Sequence, residues 1–199
     1  GEKKVYMVNV TAETEEMLRR AEYVADHGGE YIMVDILTCG FSALQTLRNL
    51  DLPLVIHAHR AGHAAVTKNP LHGVSMRVIA KVSWIIGVDQ LHVGTVVGKM
   101  FETLEEVEEN RRALTMKLEG IKSVMPVASG GLHPGLVPSL IKFFGKDLII
   151  QAGGGIHGHA GGTVAGARAM RQAIEACLNG VSLEEYAKTH EELRAALEA

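Results

Sequence analysis

The sequence is poor in cysteine: only Cys39 and Cys177 occur, far apart and outside any CxxC spacing. That argues against a disulfide framework and a thiolate zinc site, and it fits a reducing cytoplasm. No apolar run approaches the ~20 residues needed to cross a bilayer, so no membrane-spanning helix is expected. The opening Gly1-Glu2-Lys3-Lys4 runs straight into the strand-like Val5-Tyr6-Met7-Val8-Asn9-Val10, which leaves no room for a signal peptide and makes a cytoplasmic protein the expectation. Charge of one sign is lacking as well. The net charge is −3 with no block of like charge, so no global field gathers nucleic acid or anionic lipid. Any anion site has to be built locally from backbone N–H groups and a few cations, and a role on DNA or RNA is disfavoured.

What is present is the composition of one folded domain, with 47% hydrophobic and 22% charged residues over 199 positions. That length supports a core but falls short of the roughly 250 residues of a complete eight-stranded β/α barrel. Short apolar runs alternate with longer amphipathic ones, as repeated βα units around a parallel sheet require. Strands are expected over 5–10, 31–36, 52–59, 90–93, 124–127 and 148–151. Helices are expected over 12–27, with Thr11 as its cap and Gly28-Gly29 as its stop, and over 42–49, 72–86, 104–118, 136–144, 162–178 and 183–197. The 22 glycines are unevenly spread. Gly130-Gly131 follows the fifth strand and Gly153-Gly154-Gly155 the sixth, at the strand ends where parallel β/α proteins bind ligands.

Gln151-Ala152-Gly153-Gly154-Gly155, with Gly161-Gly162 at a helix start, lets backbone approach an anion closely and offers helix-terminal N–H groups. A tight turn without a ligand explains the same residues. Ser129-Gly130-Gly131 on the adjacent loop adds a hydroxyl and more amides, and the two loops together favour phosphate. The third strand ends in His57-Ala58-His59-Arg60-Ala61-Gly62-His63. Alternation puts His57 and His59 on one face. Without a HExxH context or a thiolate, metal ligation by these histidines is the weaker reading, and one of the three is expected to be a buried, hydrogen-bonded ring. His59 beside Arg60 reads as an acid/base group next to an anion clamp. After the fourth strand, His92 closes the strand and Lys99 sits beyond Gly94 and Gly98, a candidate lid cation.

Four motifs, His59-Arg60-Ala61-x-His63, His92-x-Gly94-Thr95-Val96-Val97-Gly98-Lys99, Val127-Ala128-Ser129-Gly130-Gly131-x-His133 and Gln151-x-Gly153-Gly154-Gly155, follow one another in the order and spacing of the large chain of ribulose-1,5-bisphosphate carboxylase/oxygenase (Rubisco). Asn9-Val10-Thr11-Ala12 and Asp35-Ile36-Leu37-Thr38 resemble that family too. The resemblance covers nearly the whole chain and lies nearest the archaeal branch, whose role is in nucleotide salvage. It implies an α/β fold of the parallel (β/α) TIM-type barrel kind, with six of eight βα units in residues 1–199. It further implies that His59 accepts protons during enolisation and that Lys99 stabilises the new carboxylate. Arg60 and His92 would hold one phosphate of ribulose 1,5-bisphosphate; Ser129, Gly130, Gly131, Gln151, Ala152, Gly153 and Gly154 would lie around the other.

The departures from the family pattern are equally specific. The motif that binds Mg2+, with its carbamylated lysine and Asp-Glu pair, lies ahead of the Asn9 strand in the family, so no metal ligand is expected in this chain. The family's N-terminal domain and first two barrel strands are likewise expected outside it. Met100-Phe101-Glu102 replaces the usual Leu-Glu-Gly after the lid lysine, and Gly158-His159-Ala160-Gly161 lacks a tryptophan common in plant forms. The implied reaction is carboxylation of the bisphosphate by CO2, with O2 as a side substrate, to 3-phosphoglycerate in a homodimer or larger homo-oligomer. This chain alone is expected to be inactive. The competing readings are a Rubisco-like enolase or isomerase and a non-catalytic phosphosugar-binding partial domain.

Overall fold

The computed structural model describes residues 3–69, 71–98 and 102–198. Among them six short strands alternate with helices, and the chain divides into two compact units, Gly1–Val93 with Glu108–Pro126, and Gly94–Val107 with Val127–Ala199. No helix of the described residues is long and apolar enough to cross a membrane.

The first unit carries β1 (Met7–Asn9), β2 (Tyr31–Asp35), β3 (Val55–His59) and β4 (Gln90–His92), each paired in parallel with the next. Parallel neighbours need a crossover on each return, and amphipathic helices supply it. The first crossover is α1 (Thr14–Asp26), which buries Met17 and Ala21. Its cap is Glu13, whose carboxylate accepts from the N–H groups of Glu15 and Glu16 at 2.9 and 2.8 Å. Thr11, the expected cap, is committed elsewhere: its hydroxyl accepts the Asp35 N–H at 2.9 Å. After β2 come the one-turn α2 (Ile36–Cys39) and α3 (Phe41–Asn49), and after β3 the one-turn α4 (Ala64–Thr67) and α5 (Met76–Ile86). The last of these starts four residues later than its apolar pattern suggests. It ends at Gly87 in the left-handed region, and Trp84 on its buried face donates Nε1–H to the Lys122 carbonyl at 2.9 Å.

The helix α6 (Leu104–Leu114) opens on a reciprocal cap, Thr103 N–H to Glu106 Oε2 at 2.7 Å and Glu106 N–H to Thr103 Oγ1 at 3.2 Å. It stops short of the expected residue 118, where the chain turns through Gly120 and Leu118 bridges Ile121.

In the second unit β5 (Met125–Ser129) pairs in parallel with β6 (Ile149–Gln151), and between them lie a 3-10 turn, Pro134–Leu136, and α7 (Val137–Phe144). Then follow α8 (Gly154–His157), α9 (Gly162–Leu178), α10 (Leu183–Ala187) and α11 (Glu191–Glu198). The core of this part joins Val137 to Met170, Ala173 and Ala176 of α9 and to Leu183, Ala187 and Leu193. The helix expected over 183–197 is broken in two. His190 Nδ1 and the Thr189 hydroxyl take the Tyr186 carbonyl, at 2.8 and 3.4 Å, and side chains that bond nearby backbone in this way compete with helix continuation.

Candidate active site

All six strands end on a polar residue: Asn9, Asp35, His59, His92, Ser129 and Gln151. In the first unit these endings come together. The register sets Asp35 directly opposite His59, and His59 Nδ1 lies 2.5 Å from Asp35 Oδ1. A carboxylate acceptor keeps a proton on Nδ1, so in the neutral ring Nε2 is the basic nitrogen. Asn9 Nδ2–H donates to Asp35 Oδ2 at 3.2 Å, and Thr11 links the two through its hydroxyl, 2.5 Å from Asn9 Oδ1. Burial by itself would raise the Asp35 carboxyl. The hydrogen bonds from His59 and Asn9, the His59 charge and the Thr11 hydroxyl outweigh it and hold the group below the ordinary carboxylate range.

His57 is 1% exposed and His92 2%. His57 Nδ1 lies 2.8 Å from the Gln90 amide oxygen, and its Nε2 lies 2.8 Å from His92 Nε2. The His59 ring stands perpendicular to that of His92 with centroids 4.7 Å apart, so alternation along β3 does bring both of its histidines to one neighbour. Burial pushes His57 down, against the Gln90 hydrogen bond; burial with the charges of His57, His59 and Arg60 pushes His92 down to about 3. Arg60 is itself buried beside them. His63 Nδ1 lies 2.9 Å from Thr67 Oγ1, within its own helical turn. Where one buried, bonded ring was expected among the three histidines of this motif, the structure has two, His57 and His63, and among the described residues no group of three or more His, Cys, Asp or Glu could hold a metal ion.

In the second unit Ser129 stands opposite Gln151 in the β5–β6 register, which makes the two glycine loops neighbours. Gly130 and Gly131 have φ of 112° and 66°, conformations that side chains resist. Gly98 touches the same loop through backbone alone, since a Cβ there would collide with the Gly130 carbonyl oxygen. Space is open around Gly153 and Gly154, whereas a Cβ on Gly155 would strike the Leu132 carbonyl. Gly153 caps α8, and its carbonyl accepts the N–H groups of Ile156 and His157 at 2.9 and 3.0 Å.

Of the residues expected from sequence, the structure brings His59, Arg60 and His92 together in the first unit. Ser129, Gly130 and Gly131 lie beside Gln151, Ala152, Gly153 and Gly154 in the second. Lys99 lies outside the described residues. Sequence reasoning did not select Asp35, Asn9, Thr11 or Gln90 as site residues. The available signal was weak: Asn9, Asp35 and Gln90 fall inside expected strands and Thr11 directly after one, but four of the six expected strands close on apolar residues, Val10, Ile36, Val93 and Val127.

Comparison with known proteins bears on these residues as a set. A family model described as ribulose bisphosphate carboxylase large chain, catalytic domain, matches residues 1–199. The ribulose bisphosphate carboxylase of Pyrococcus furiosus is 56% identical over 199 residues, 99% of this chain and 47% of that protein. The crystal structure of octameric Rubisco from Pyrococcus horikoshii OT3 in complex with a sulfate ion matches with a TM-score of 0.95 at 54% identity, covering 99% of this chain and 47% of that one. A rubisco-like protein from Burkholderia fungorum matches with a TM-score of 0.90 at 36% identity, covering 98% and 48%. The chain thus spans about half the length of the relatives it matches.

Proposed function

The chain belongs to the family of the ribulose bisphosphate carboxylase large chain, catalytic domain, and from this we propose that it is the catalytic barrel portion of a Rubisco large chain of the archaeal branch. In this reading residues 1–199 contribute six of the eight βα units of a TIM-type barrel. The complete protein carboxylates, and as a side reaction oxygenates, ribulose 1,5-bisphosphate to 3-phosphoglycerate through an enediolate. The observation that carries the reading is the Asp35–His59 pair beside His92 and Arg60, an oriented acid/base group next to cationic and imidazole partners for a phosphate.

The roles follow from chemistry. His59, with its Nδ1 held by Asp35, accepts a proton at Nε2. Arg60 and His92 bind one phosphate. Ser129, Gly130 and Gly131 with Gln151, Ala152, Gly153 and Gly154 surround the other, which the open space at Gly153 and Gly154 supports. Lys99 supplies charge to the new carboxylate. Mg2+ would polarise the substrate oxygens, but Asp35 is the one carboxylate among the six strand-end residues, and this hard ion wants several oxygen ligands. Its ligands are assigned to the part of the relatives' length outside this chain. A cytoplasmic homo-oligomer acting in nucleotide salvage completes the reading; the octameric relative supports the oligomer.

Rubisco-like enolase or isomerase chemistry is the second reading, and the lower identity to the rubisco-like protein, 36% against 54–56% to the carboxylases, weighs against it. The deciding experiment combines this chain with a polypeptide carrying the remainder of a close carboxylase relative, then supplies Mg2+, CO2 and the bisphosphate. Formation of 3-phosphoglycerate that disappears with Lys99→Ala, while bisphosphate binding persists, supports the carboxylase. Binding without product in any combination leaves the non-catalytic reading instead.

A further inference from the structure

His159 follows the α8 turn and meets both α9 and α11, and its partners define its protonation. A carbonyl oxygen only accepts, so the 2.9 Å contact of His159 Nε2 with the Glu192 carbonyl puts a proton on Nε2. An amide N–H only donates, so Gly161 N–H, 2.9 Å from Nδ1, requires that nitrogen to be bare. Backbone thus engages both ring nitrogens, and the ring is the neutral Nε2–H form. Its partner on α11 is well anchored. The Glu192 carboxylate accepts from Arg168 at 3.2 Å and from Gln172 at 2.9 Å, and Gln172 accepts the Leu193 N–H at 2.9 Å. Those bonds pin the start of α11 to α9.

The four residues of α8 are far too few for a helix that is stable alone, so its neighbours have to hold it. On one side backbone does so: a Cβ on Gly155 would strike the Leu132 carbonyl, and a Cβ on Gly166 of α9 would strike the Ile156 carbonyl. On the other side a cavity of about 410 Å3 lies between Gly154, Gly155 and Gly158 and the α11 residues Ala195, Ala196 and Leu197. The bond from His159 to Glu192 joins the two walls of that cavity. Resting on the reading that Gly153 and Gly154 surround a phosphate, we propose that His159 is a positioning residue for this anion loop. The neutral ring bridges Gly161 and Glu192 and keeps the loop in its binding conformation through backbone bonds, with no contact to the anion itself.

Inorganic sulfate is the probe, read at the loop itself through the amide shifts of Gly153 and Gly154 in nitrogen-15 spectra of the whole chain. The native chain should show saturable shifts at both amides, with His159 in the Nε2–H form. His159→Phe keeps the bulk of the ring and neither bond, so sulfate affinity at the loop should fall by about tenfold, the scale of one to two net hydrogen bonds. His159→Gln keeps one donor and one acceptor and should bind within about threefold of native. His157, exposed on the same turn and 3.1 Å from the Thr163 hydroxyl, is the control, and His157→Asn should bind as the native chain does. Should His159→Phe not fold, His159→Asn, whose shorter amide does not span both partners, takes its place with the same expectation. Native affinity in the folded Phe or Asn variant, an equal loss in His159→Gln or His157→Asn, or an Nδ1–H ring overturns the inference and leaves the phosphate reading standing. Absence of sulfate shifts at Gly153 and Gly154 in the native chain overturns the phosphate reading of the loop and the inference with it.

Discussion

His59 Nδ1 lies 2.5 Å from Oδ1 of Asp35, the residue directly across from it in the β2–β3 register. The same carboxylate receives Asn9 Nδ2–H at 3.2 Å and stands next to the Thr11 hydroxyl, so one side chain ties the ends of three strands. Asp35→Asn cannot accept all of these bonds, because one of its two atoms donates. The expected loss is about 1–2 kcal/mol of unfolding free energy, together with a mixed His59 tautomer in nitrogen-15 spectra. Unchanged stability and an unchanged tautomer would show that Asp35 orients nothing.

Stability should fall on mild acidification. Burial holds the folded-state values of His57 and His92 below the ordinary 6.5, that of His92 at about 3. An unfolded chain therefore takes up protons below pH 6.5 that the folded chain refuses, and the contribution present above 6.5 is lost progressively toward pH 3. The Asp35 value is depressed below 3.8, so its own contribution persists above 3.8 and disappears only as pH falls further. Urea midpoints measured from pH 7.5 to 4 should decline in the native chain and more shallowly in His92→Asn. A midpoint that climbs over this range contradicts the assignment of neutral buried rings.

The glycines of the second unit divide into two kinds, and substitution should separate them. Gly98 has φ of 93° and its Cβ would meet the Gly130 carbonyl oxygen, so Gly98→Ala is expected to cost about 1–3 kcal/mol. Gly154 has open space where a side chain would go. Gly154→Leu should leave the unfolding transition within ~0.5 kcal/mol while abolishing sulfate binding at that loop. A folded Gly154→Leu that still binds sulfate there removes the loop from the anion site.

Leu193, fully buried, joins α11 to the α9 core, and its N–H is held by Gln172 Oε1 at 2.9 Å. Leu193→Ala should destabilise by about 2–5 kcal/mol. Hydrogen exchange should show the protection loss concentrated in α9, α10 and α11. A change below ~1 kcal/mol would mean that α11 is not part of the cooperative core.

Local sequence determined the order of strands and helices, because apolar alternation and helical spacing are properties of a few consecutive residues. It also determined the glycine loops after β5 and β6 and the motif set from His59 to Gly155 that marks the family, whereas the polar residues that close the strands came from the structure, since four expected strands ended on Val10, Ile36, Val93 and Val127. Tertiary structure decided what those polar ends do. Asp35 meets His59, and His57 bridges Gln90 to His92, only because parallel register sets residues 24 to 35 positions apart side by side. Thr11 likewise is not the helix cap: its hydroxyl accepts the Asp35 N–H from the neighbouring strand, and Glu13 caps α1. Propensity is local, whereas a hydrogen bond between strand ends depends on the register of the whole sheet, and no short stretch of sequence contains that information.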